Sequence, residues 1–372
     1  MNEYLTPQSV IALKGPIVSL VARVCTSVLL LICMMACTEN ERTDYSNLED
    51  RPQIKSAAFV GSGNAWLVSA CEGQLMVTKN GGESWSSVPG NNIGGRFESI
   101  GFVDEKRGFA TNSKGEVWSS GDGGQTWAAV SQLRSVKSHD WEFMSSNQIN
   151  FADEQRGWIV ETFTIWRTDD SGRNWQQVFS VLDPRAEGQP REAHFLNREI
   201  GWVTATSEGQ IYQTTDGGNT WHLIPIAKNT NITDVFFISQ NTGWVSGFAS
   251  VPPYTKLYRS DDAGKTWLPL PSPDGNFLII SISFVSAEEG WAAGRVWTGD
   301  PKTSTGAVLH TLDRGQSWQP VQLRQGESVF NRVHFVNSQQ GWLFGGKNVY
   351  RTEDSGRNWR VVLKLSGATN GT

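Results

Sequence analysis

The stretch TTDGGNTW at residues 214–221 decides the fold, because it recurs with small changes along most of the chain. Its pattern has Ser or Thr first, Asp third, Gly fifth and Trp eighth. The seven copies are TKNGGESW at 78, SGDGGQTW at 120, TDDSGRNW at 168, TTDGGNTW at 214, SDDAGKTW at 260, TLDRGQSW at 311 and TEDSGRNW at 352. Seven copies in register indicate a repeat architecture, whereas a single copy would be weak evidence.

Each copy has the chemistry of a tight turn between two strands. An Asp side chain can accept backbone N–H groups of its own turn, Gly supplies a positive φ, and Trp covers the turn with an apolar face. We therefore assign a structural role to the third position and expect Asp216→Ala to leave buried N–H groups unpaired. The third-position residues are Asn80, Asp122, Asp170, Asp216, Asp262, Asp313 and Asp354.

A second element precedes every turn: a Phe, six further residues and then an aromatic residue that usually follows Gly. The pairs are Phe59/Trp66, Phe102/Phe109, Phe151/Trp158, Phe195/Trp202, Phe237/Trp244, Phe284/Trp291 and Phe335/Trp342. With β-rich runs such as GQIYQT flanking the turns, each unit offers about four short antiparallel strands. The sequence thus predicts an all-β, seven-bladed β-propeller over residues 53–365. Whether residues 45–55 add a strand where the ring closes is left open.

Composition excludes several classes of protein. Of the 372 residues, 38% are hydrophobic and 19% are charged, which fits neither a disordered chain nor a polytopic membrane protein. A formal charge of −5 gives no basic footprint for nucleic acid. Fragments such as TDDSG at 168 invite a calcium interpretation, but a repeated pattern without the Glu at loop position 12 is scaffold. We expect neither a metal nor a cofactor.

The first residues have the features of an export signal. Lys14 and Arg23 precede an apolar run, Val24–Met35, which is too short to span a bilayer. The following Ala36-Cys37 resembles a bacterial lipobox, which predicts a signal peptide over residues 1–36 and a lipid on Cys37. Ordinary signal-peptidase cleavage, leaving a soluble secreted protein, is the alternative. Residues 37–52 are predicted to form a polar tether and residues 366–372 a C-terminal tail.

The eight-residue turn is the Asp-box, or BNR repeat, which marks a fold and not an activity. Resemblance to sialidases would imply a Tyr nucleophile with a Glu partner. Here Tyr212, Tyr258 and Tyr350 occupy one strand position in three blades and are therefore repeat residues. We predict that the protein is not an enzyme. The alternative is a carbohydrate-active propeller that binds or cleaves glycans.

EEGWAAG at 288–294 followed by VLHTLDRGQSW at 308–318 resembles the photosystem II stability/assembly factor family. The resemblance implies a non-enzymatic, lipid-anchored scaffold that binds a protein partner, a subunit of a membrane complex, and aids its assembly or stability. The location would be the periplasm or outer membrane, the cell surface, or a thylakoid lumen.

Loop lengths predict the partner-binding face. The interval from the second aromatic to the Trp of the box varies from 17 to 27 residues, and that from this Trp to the next Phe from 16 to 24. Both variable connections emerge on one side of a blade with alternating strands. The candidate binding residues are Arg134, Lys137, His139, Trp141, Phe143, Arg185, Arg191, Tyr254, Lys256, Trp297 and Lys302. The alternative is that these loops tolerate insertions and that Trp141 and Trp297 only cover the central channel.

Overall fold

The computed structural model describes most of the chain from Ile54 to Lys364, and every structural statement below concerns these residues. The described ranges are 54–69, 73–88, 93–133, 148–161, 163–181, 189–205, 209–249, 254–299, 303–323, 327–346 and 348–364. They form seven four-stranded antiparallel sheets, each made of four consecutive strands in chain order. The predicted all-β, seven-bladed propeller is confirmed.

The strands are short, and each set of four makes one blade. Blade 1 contains β1 Ile54–Val60, β2 Asn64–Ser69, β3 Leu75–Thr78 and β4 Ser86–Val88. Blade 2 contains β5 Phe97–Phe102, β6 Gly108–Asn112, β7 Glu116–Ser120 and β8 Ala128–Gln132. Blade 3 contains β9 Gln148–Phe151, β10 Gly157–Val160, β11 Thr164–Thr168 and β12 Gln176–Ser180. Blade 4 contains β13 Pro190–Phe195, β14 Gly201–Ala205, β15 Gln210–Thr214 and β16 His222–Pro225.

The remaining three blades follow the same order. Blade 5 contains β17 Asn231–Phe237, β18 Gly243–Phe248, β19 Thr255–Ser260 and β20 Leu268–Leu270. Blade 6 contains β21 Phe277–Phe284, β22 Gly290–Val296, β23 Thr305–Thr311 and β24 Gln319–Val321. Blade 7 contains β25 Phe330–Phe335, β26 Gly341–Gly345, β27 Asn348–Thr352 and β28 Arg360–Lys364. Among the described strands, blades 1 and 7 share none. Of the segment 45–55, only residues 54 and 55, at the start of β1, lie within the described part.

Each pair of neighbouring blades meets in a joint held by aromatic rings. In six joints the aromatic residue that begins the second strand of one blade stacks on the Phe that ends the first strand of the next. The ring centroids are 3.4 to 4.2 Å apart, and the planes lie within 18° of parallel. The Trp of the box then packs edge-on against that Phe, as Trp267 does on Phe237. The Phe spacing found in the sequence therefore places each ring between two others.

The Gly before the second aromatic is required by this packing. A Cβ at Gly201 would lie 2.3 Å from the ring of Phe195, and one at Gly243 would lie 2.5 Å from the ring of Phe237. The same close approach recurs at Gly108, Gly157, Gly290 and Gly341. Only a residue without a side chain lets the Phe ring lie across the backbone of the neighbouring strand.

Most joints are also held by hydrogen bonds between the first strands of neighbouring blades, which are the innermost strands of the propeller. A side-chain oxygen three residues before the Phe of one innermost strand accepts a backbone N–H from the innermost strand of the next blade. The bonds are Ile100 N to Ser56 Oγ, Ile149 N to Ser99 Oγ, Ala193 N to Gln148 Oε1, Ile282 N to Asp234 Oδ2 and Val333 N to Ser281 Oγ. In blade 7 the equivalent residue is Arg332, which carries donors only.

Candidate partner-binding face

The two sides of the propeller differ because alternate turns of each blade lie on the same side. In every blade a backbone N–H in the box donates to a carbonyl in the turn between the first two strands. Examples are Gly217 N to Glu199 O at 2.8 Å and Ala263 N to Asn241 O at 3.0 Å. We call this side the box face. The connections from second to third strand, and from one blade to the next, emerge on the opposite side, which we call the loop face.

The box works differently from the sequence-based expectation. In blade 4, Asp216 Oδ1 accepts Thr220 N at 2.9 Å, but this N–H lies at the surface. The buried N–H of the turn belongs to Gly218 and donates to Thr214 Oγ1 at 2.7 Å. The expectation that Asp216→Ala would leave buried N–H groups unpaired was therefore wrong, because the hydroxyl at the first position of the box accepts the buried N–H. Asn80 plays the Asp role in blade 1, where its Oδ1 accepts Ser84 N at 3.0 Å.

Two consecutive residues of every box, the fourth and the fifth, have positive φ. Only the fifth is Gly in all seven blades. The fourth position is Ser171, Ala263, Arg314 or Ser355 in four blades, with φ between 63° and 71°. The fifth position is always Gly. At Gly264 an added Cβ would lie 3.1 Å from Nε1 of Trp202 in the preceding blade, so both φ and the joint restrict this position.

Carboxylates on the box face are held ionised. Partial burial acts to raise the pKa of Asp122, but hydrogen bonds from Thr126, Ser120 and Gln125 outweigh it and set the pKa at about 2. Asp153 has its pKa lowered, chiefly by the hydrogen bond from Arg198. Arg107 likewise pairs with Asp104 and Glu154, and Arg314 with Glu288. The arginines of these turns therefore have their charges matched.

On the loop face the structure describes four of the predicted binding residues. Arg191 lies in β13 and is half-buried. Tyr254 precedes β19, and its carbonyl accepts Ala249 N at 2.8 Å, which joins the two ends of its loop. Lys256 lies within β19 opposite Gly247. Trp297 follows β22, and its backbone N–H donates to the backbone carbonyl of Asn276 at 2.6 Å.

The other predicted residues lie outside the described part of the chain. They are Arg134, Lys137, His139, Trp141, Phe143, Arg185, Lys302 and the predicted lipid-attachment residue Cys37. Their assignment to a binding face or a membrane anchor stays a prediction. The described four come from blades 4, 5 and 6, all at loop-face ends of strands.

Arg295 is a loop-face residue that the sequence comparison missed. It lies at the end of β22, and its guanidinium carbon is 5.2 Å from the centre of the Trp297 ring. The repeat pattern could have identified Arg295, because its residue type is unusual at its position in the unit. Four residues after the second aromatic, the seven units have Ala70, Ser113, Thr162, Thr206, Phe248, Arg295 and Gly346. The only charged residue at this position is therefore Arg295.

Asp234, on the innermost strand β17 of blade 5, has a raised pKa. Burial, and secondarily the charge of Glu192, raises the pKa of Asp234 to about 7. Asp234 accepts Val235 N and Ile282 N through its two oxygens, at 2.8 and 2.9 Å. Its hydrogen bonds hold a joint together, so the group is structural.

A Tyr–Glu pair lies deep in blade 7. The Tyr350 hydroxyl donates to Glu327 Oε1 at 2.8 Å, and Tyr350 is only 2% exposed. Burial and the neighbouring carboxylate raise the pKa of this Tyr. A Tyr nucleophile needs access to substrate and a lowered pKa, and this one has neither.

Within the described ranges, no group of three or more His, Cys, Asp and Glu side chains is arranged to hold a metal ion. In the same ranges no helix combines the length and apolar character needed to cross a bilayer.

Comparison with known proteins gives a consistent result. A model of the family described as photosynthesis system II assembly factor YCF48 matches residues 91–224 and 219–370. The chain is 31% identical over 291 residues to the photosystem II assembly lipoprotein Ycf48 of Synechococcus sp. (strain CC9902), covering 66% of this chain and 83% of that protein. It is 24% identical over 293 residues to the photosystem II stability/assembly factor HCF136 of Arabidopsis thaliana, covering 74% of this chain and 69% of that protein. A solved structure described as YCF48 bound to D1 peptide superposes with a TM-score of 0.62 at 19% identity, covering 82% of this chain and 93% of that one.

Proposed function

The chain belongs to the photosynthesis system II assembly factor YCF48 family, and from this we propose that it is a lipid-anchored scaffold that binds a photosystem II subunit and aids assembly or stability of that complex. The observation that carries the proposal is the family match over residues 91–224 and 219–370, which spans blades 2 to 7. The relative described as bound to D1 peptide supplies the chemical class of the partner, a peptide segment of a membrane subunit.

The geometry supports binding on the loop face. Tight turns cover the box face, and each is tied to its neighbour by a hydrogen bond. The loop face has variable connections, with Tyr254 and Trp297 at the ends of strands. Aromatic residues and arginines on loops held by a rigid framework are typical of binding hot spots. We assign Arg191, Tyr254, Lys256 and Trp297 to this face, together with the predicted residues outside the described ranges.

A non-enzymatic role is part of the proposal. The Tyr–Glu pair that a sialidase-like reaction would require is buried in blade 7, where the Tyr350 hydroxyl is committed to Glu327. Assay of the purified protein with a fluorogenic sialoside and on a glycan array should give no turnover and no binding, and either signal would contradict the proposal.

Binding is best tested with the peptide named for the solved relative. Titration of the protein with a synthetic D1 peptide should show saturable binding. Trp297→Ala and Tyr254→Ala should each weaken it by roughly tenfold or more, since each removes a large contact surface. Lys265→Ala, an exposed box-face change, is the matched control. Absence of binding by the wild type would reject the proposed partner, and equal loss in the control would reject the assigned face.

The anchor is tested separately. We propose that Cys37 carries lipid after export, as the name of the Synechococcus relative indicates for that protein. Wild-type protein should then partition with membranes and Cys37→Ser should not, because acyl chains contribute about 0.8 kcal/mol per buried CH₂. Recovery of wild type wholly in the soluble fraction would contradict the anchor. The compartment could be identified by fractionating the native host.

A further inference from the structure

Arg295 differs from the other deeply buried arginines that the structure describes. Arg167, Arg259 and Arg351 are 6 to 8% exposed, and each pairs with a carboxylate two residues along the chain: Asp169, Asp261 or Glu353. Arg295 is similarly buried, at 9% exposed. Its Nε is enclosed without a hydrogen bond, as is that of Arg351. Unlike Arg351, Arg295 forms no ion pair with a carboxylate of the described residues.

The surroundings of Arg295 are apolar or already engaged. Its guanidinium lies over the ring of Trp297, and its ladder partner on β23 is Gly306. Glu327 approaches this point through its backbone carbonyl, which accepts Gly306 N at 2.5 Å. The Glu327 carboxylate is instead engaged by Gly346 N, Asn348 Nδ2 and Tyr350 OH. Within the described part of the chain, Arg295 therefore contacts the ring of Trp297 but has no carboxylate partner.

A second unpaired donor lies nearby in the fold. The amide nitrogen of Asn331, next to the start of β25, is enclosed and makes no hydrogen bond. Starts of innermost strands and ends of second strands share the loop face, and β22 packs against β25. The Val333 N to Ser281 Oγ bond links β25 to β21, the strand that pairs with β22. The unbonded atoms, Arg295 Nε and Asn331 Nδ2, are both hydrogen-bond donors.

The energetics favour an anionic ligand. A buried charge without a partner is costly, and Arg keeps its proton at all accessible pH values. The contact with the Trp297 ring does not use the hydrogen-bonding capacity of the guanidinium, whose N–H groups can also donate to an acceptor. The N–H edge of the guanidinium matches the two oxygens of a carboxylate, which it can engage with two parallel hydrogen bonds. The hydrogen bond from Trp297 N to Asn276 O fixes the backbone of Trp297.

We propose that Arg295, supported by Trp297, is a receptor for an Asp or Glu side-chain carboxylate of the protein partner, at the joint between blades 6 and 7 on the loop face. The inference rests on the proposed function, because it takes a peptide segment as the partner. It specifies the chemistry of that segment: an acidic residue at the position that enters this joint.

The test uses a matched pair of variants. Arg259 is also buried and lies 5.4 Å over a Trp ring, that of Trp244, but it has Asp261 as its ion-pair partner. Arg295→Met should keep or raise the melting temperature, because it removes an unpaired buried charge. Arg259→Met should lower the melting temperature, because Asp261 loses its partner. Both changes remove one positive charge and leave a side chain of similar volume.

The ligand probe is a short blocked peptide with two glutamates, compared with its glutamine twin by calorimetric titration. The wild type should bind the glutamate peptide at least roughly tenfold more tightly than the twin. Arg295→Met should lose this discrimination, and Arg259→Met should keep it. Acetate should compete weakly with the glutamate peptide. If inorganic phosphate competes better than acetate, the carboxylate assignment is wrong.

Other outcomes separate this inference from the proposed function. If Arg295→Met lowers the melting temperature as much as Arg259→Met, or if glutamate discrimination survives in it, Arg295 is structural and the inference is overturned. If the wild type discriminates between the two probes but does not bind D1 peptide, the carboxylate receptor stands and the proposed partner fails. If the wild type binds D1 peptide but does not discriminate between the glutamate and glutamine probes, the proposed partner stands and the carboxylate receptor fails.

Discussion

Six joints of the propeller are built alike, and the closing joint between blades 7 and 1 is not. Trp202 stacks on Phe237 at 3.4 Å and 3°, whereas Trp342 lies 5.8 Å from Phe59 at a tilt of 42°. Phe59 stacks instead on His334, at 4.4 Å and 17°. Trp85, the box residue of blade 1, contacts Trp342 directly, with no Phe ring between them.

The cause of this difference is a single methyl group. The second aromatic of blade 1 follows Ala65, where the other six blades have Gly. In those blades an added Cβ would lie 2.3 to 2.7 Å from the Phe ring. Because Ala65 carries that Cβ, the Phe59 ring cannot lie across β2 in the same way and packs on the neighbouring blade instead. A propeller can therefore close through a joint of different geometry, provided that another ring receives the displaced Phe.

His334 can receive the ring because it is neutral. Burial, and secondarily the charge of Arg332, lowers the pKa of His334 to about 3. The ring is therefore uncharged near neutral pH and stacks as an aromatic. The apolar cluster against which Phe59 packs, which includes Leu67 and Phe344, joins blades 1 and 7.

The largest expected effect comes from removing the ring at the centre of a joint. Phe237→Ala should lower the free energy of unfolding by about 3–5 kcal/mol, because a fully buried ring leaves a cavity between two others. Phe59→Ala should cost clearly less, since Phe59 is only partly buried. Urea unfolding of both variants measures the difference. Equal losses would show that the closing joint is as tightly packed as the others.

A smaller effect is expected from exchanging the residue that distinguishes the joints. Gly243→Ala should cost about 1–3 kcal/mol, because its Cβ would be forced against the Phe237 ring. Ala65→Gly should change stability by about 1 kcal/mol or less, the usual cost of Gly in a strand. It should also allow Phe59 to move toward Trp342, which near-UV circular dichroism or a structure of the variant would detect. An unchanged position of Phe59 would mean that Ala65 is not the cause.

The smallest effect is a pH dependence of opposite sign in two joints. Asp234, with a pKa of about 7 when folded and a reference value of 3.8, loses its stabilising contribution as pH rises toward 7. His334, with a pKa of about 3 against 6.5, loses its contribution as pH falls below 6.5. Between about pH 4.5 and about pH 6.5, Asp234→Asn should steepen the rise of stability with pH, and His334→Gln should flatten it, each by at most about 1.4 kcal/mol per pH unit. Denaturant unfolding across this range measures both slopes. Identical slopes in wild type and variants would contradict the two pKa assignments.

Part of the candidate site could be predicted from the sequence. Loop lengths were enough to predict a variable face and to include Trp297 and Tyr254 among its residues. Arg295 was not predicted because it lies within β22 and not in a loop, and because its distinguishing feature is the absence of a carboxylate partner among the described residues. The role of Asp216 was misjudged for a similar reason, since exposure of the Thr220 N–H depends on how neighbouring blades cover the turn.

The sequence by itself determined the number of blades, the turn in every box and the strand on which each aromatic lies. These features depend on local backbone geometry and on a spacing that repeats, so they can be recognised within each unit. Only the tertiary structure decided which rings stack across a joint, why Ala65 displaces Phe59, and which buried arginine lacks a carboxylate partner among the described residues. Those outcomes depend on contacts between residues that are roughly one blade apart, or at opposite ends of the chain where the ring closes. Such partners are determined by complementary shape and charge in the packed structure, and a local sequence pattern does not predict them.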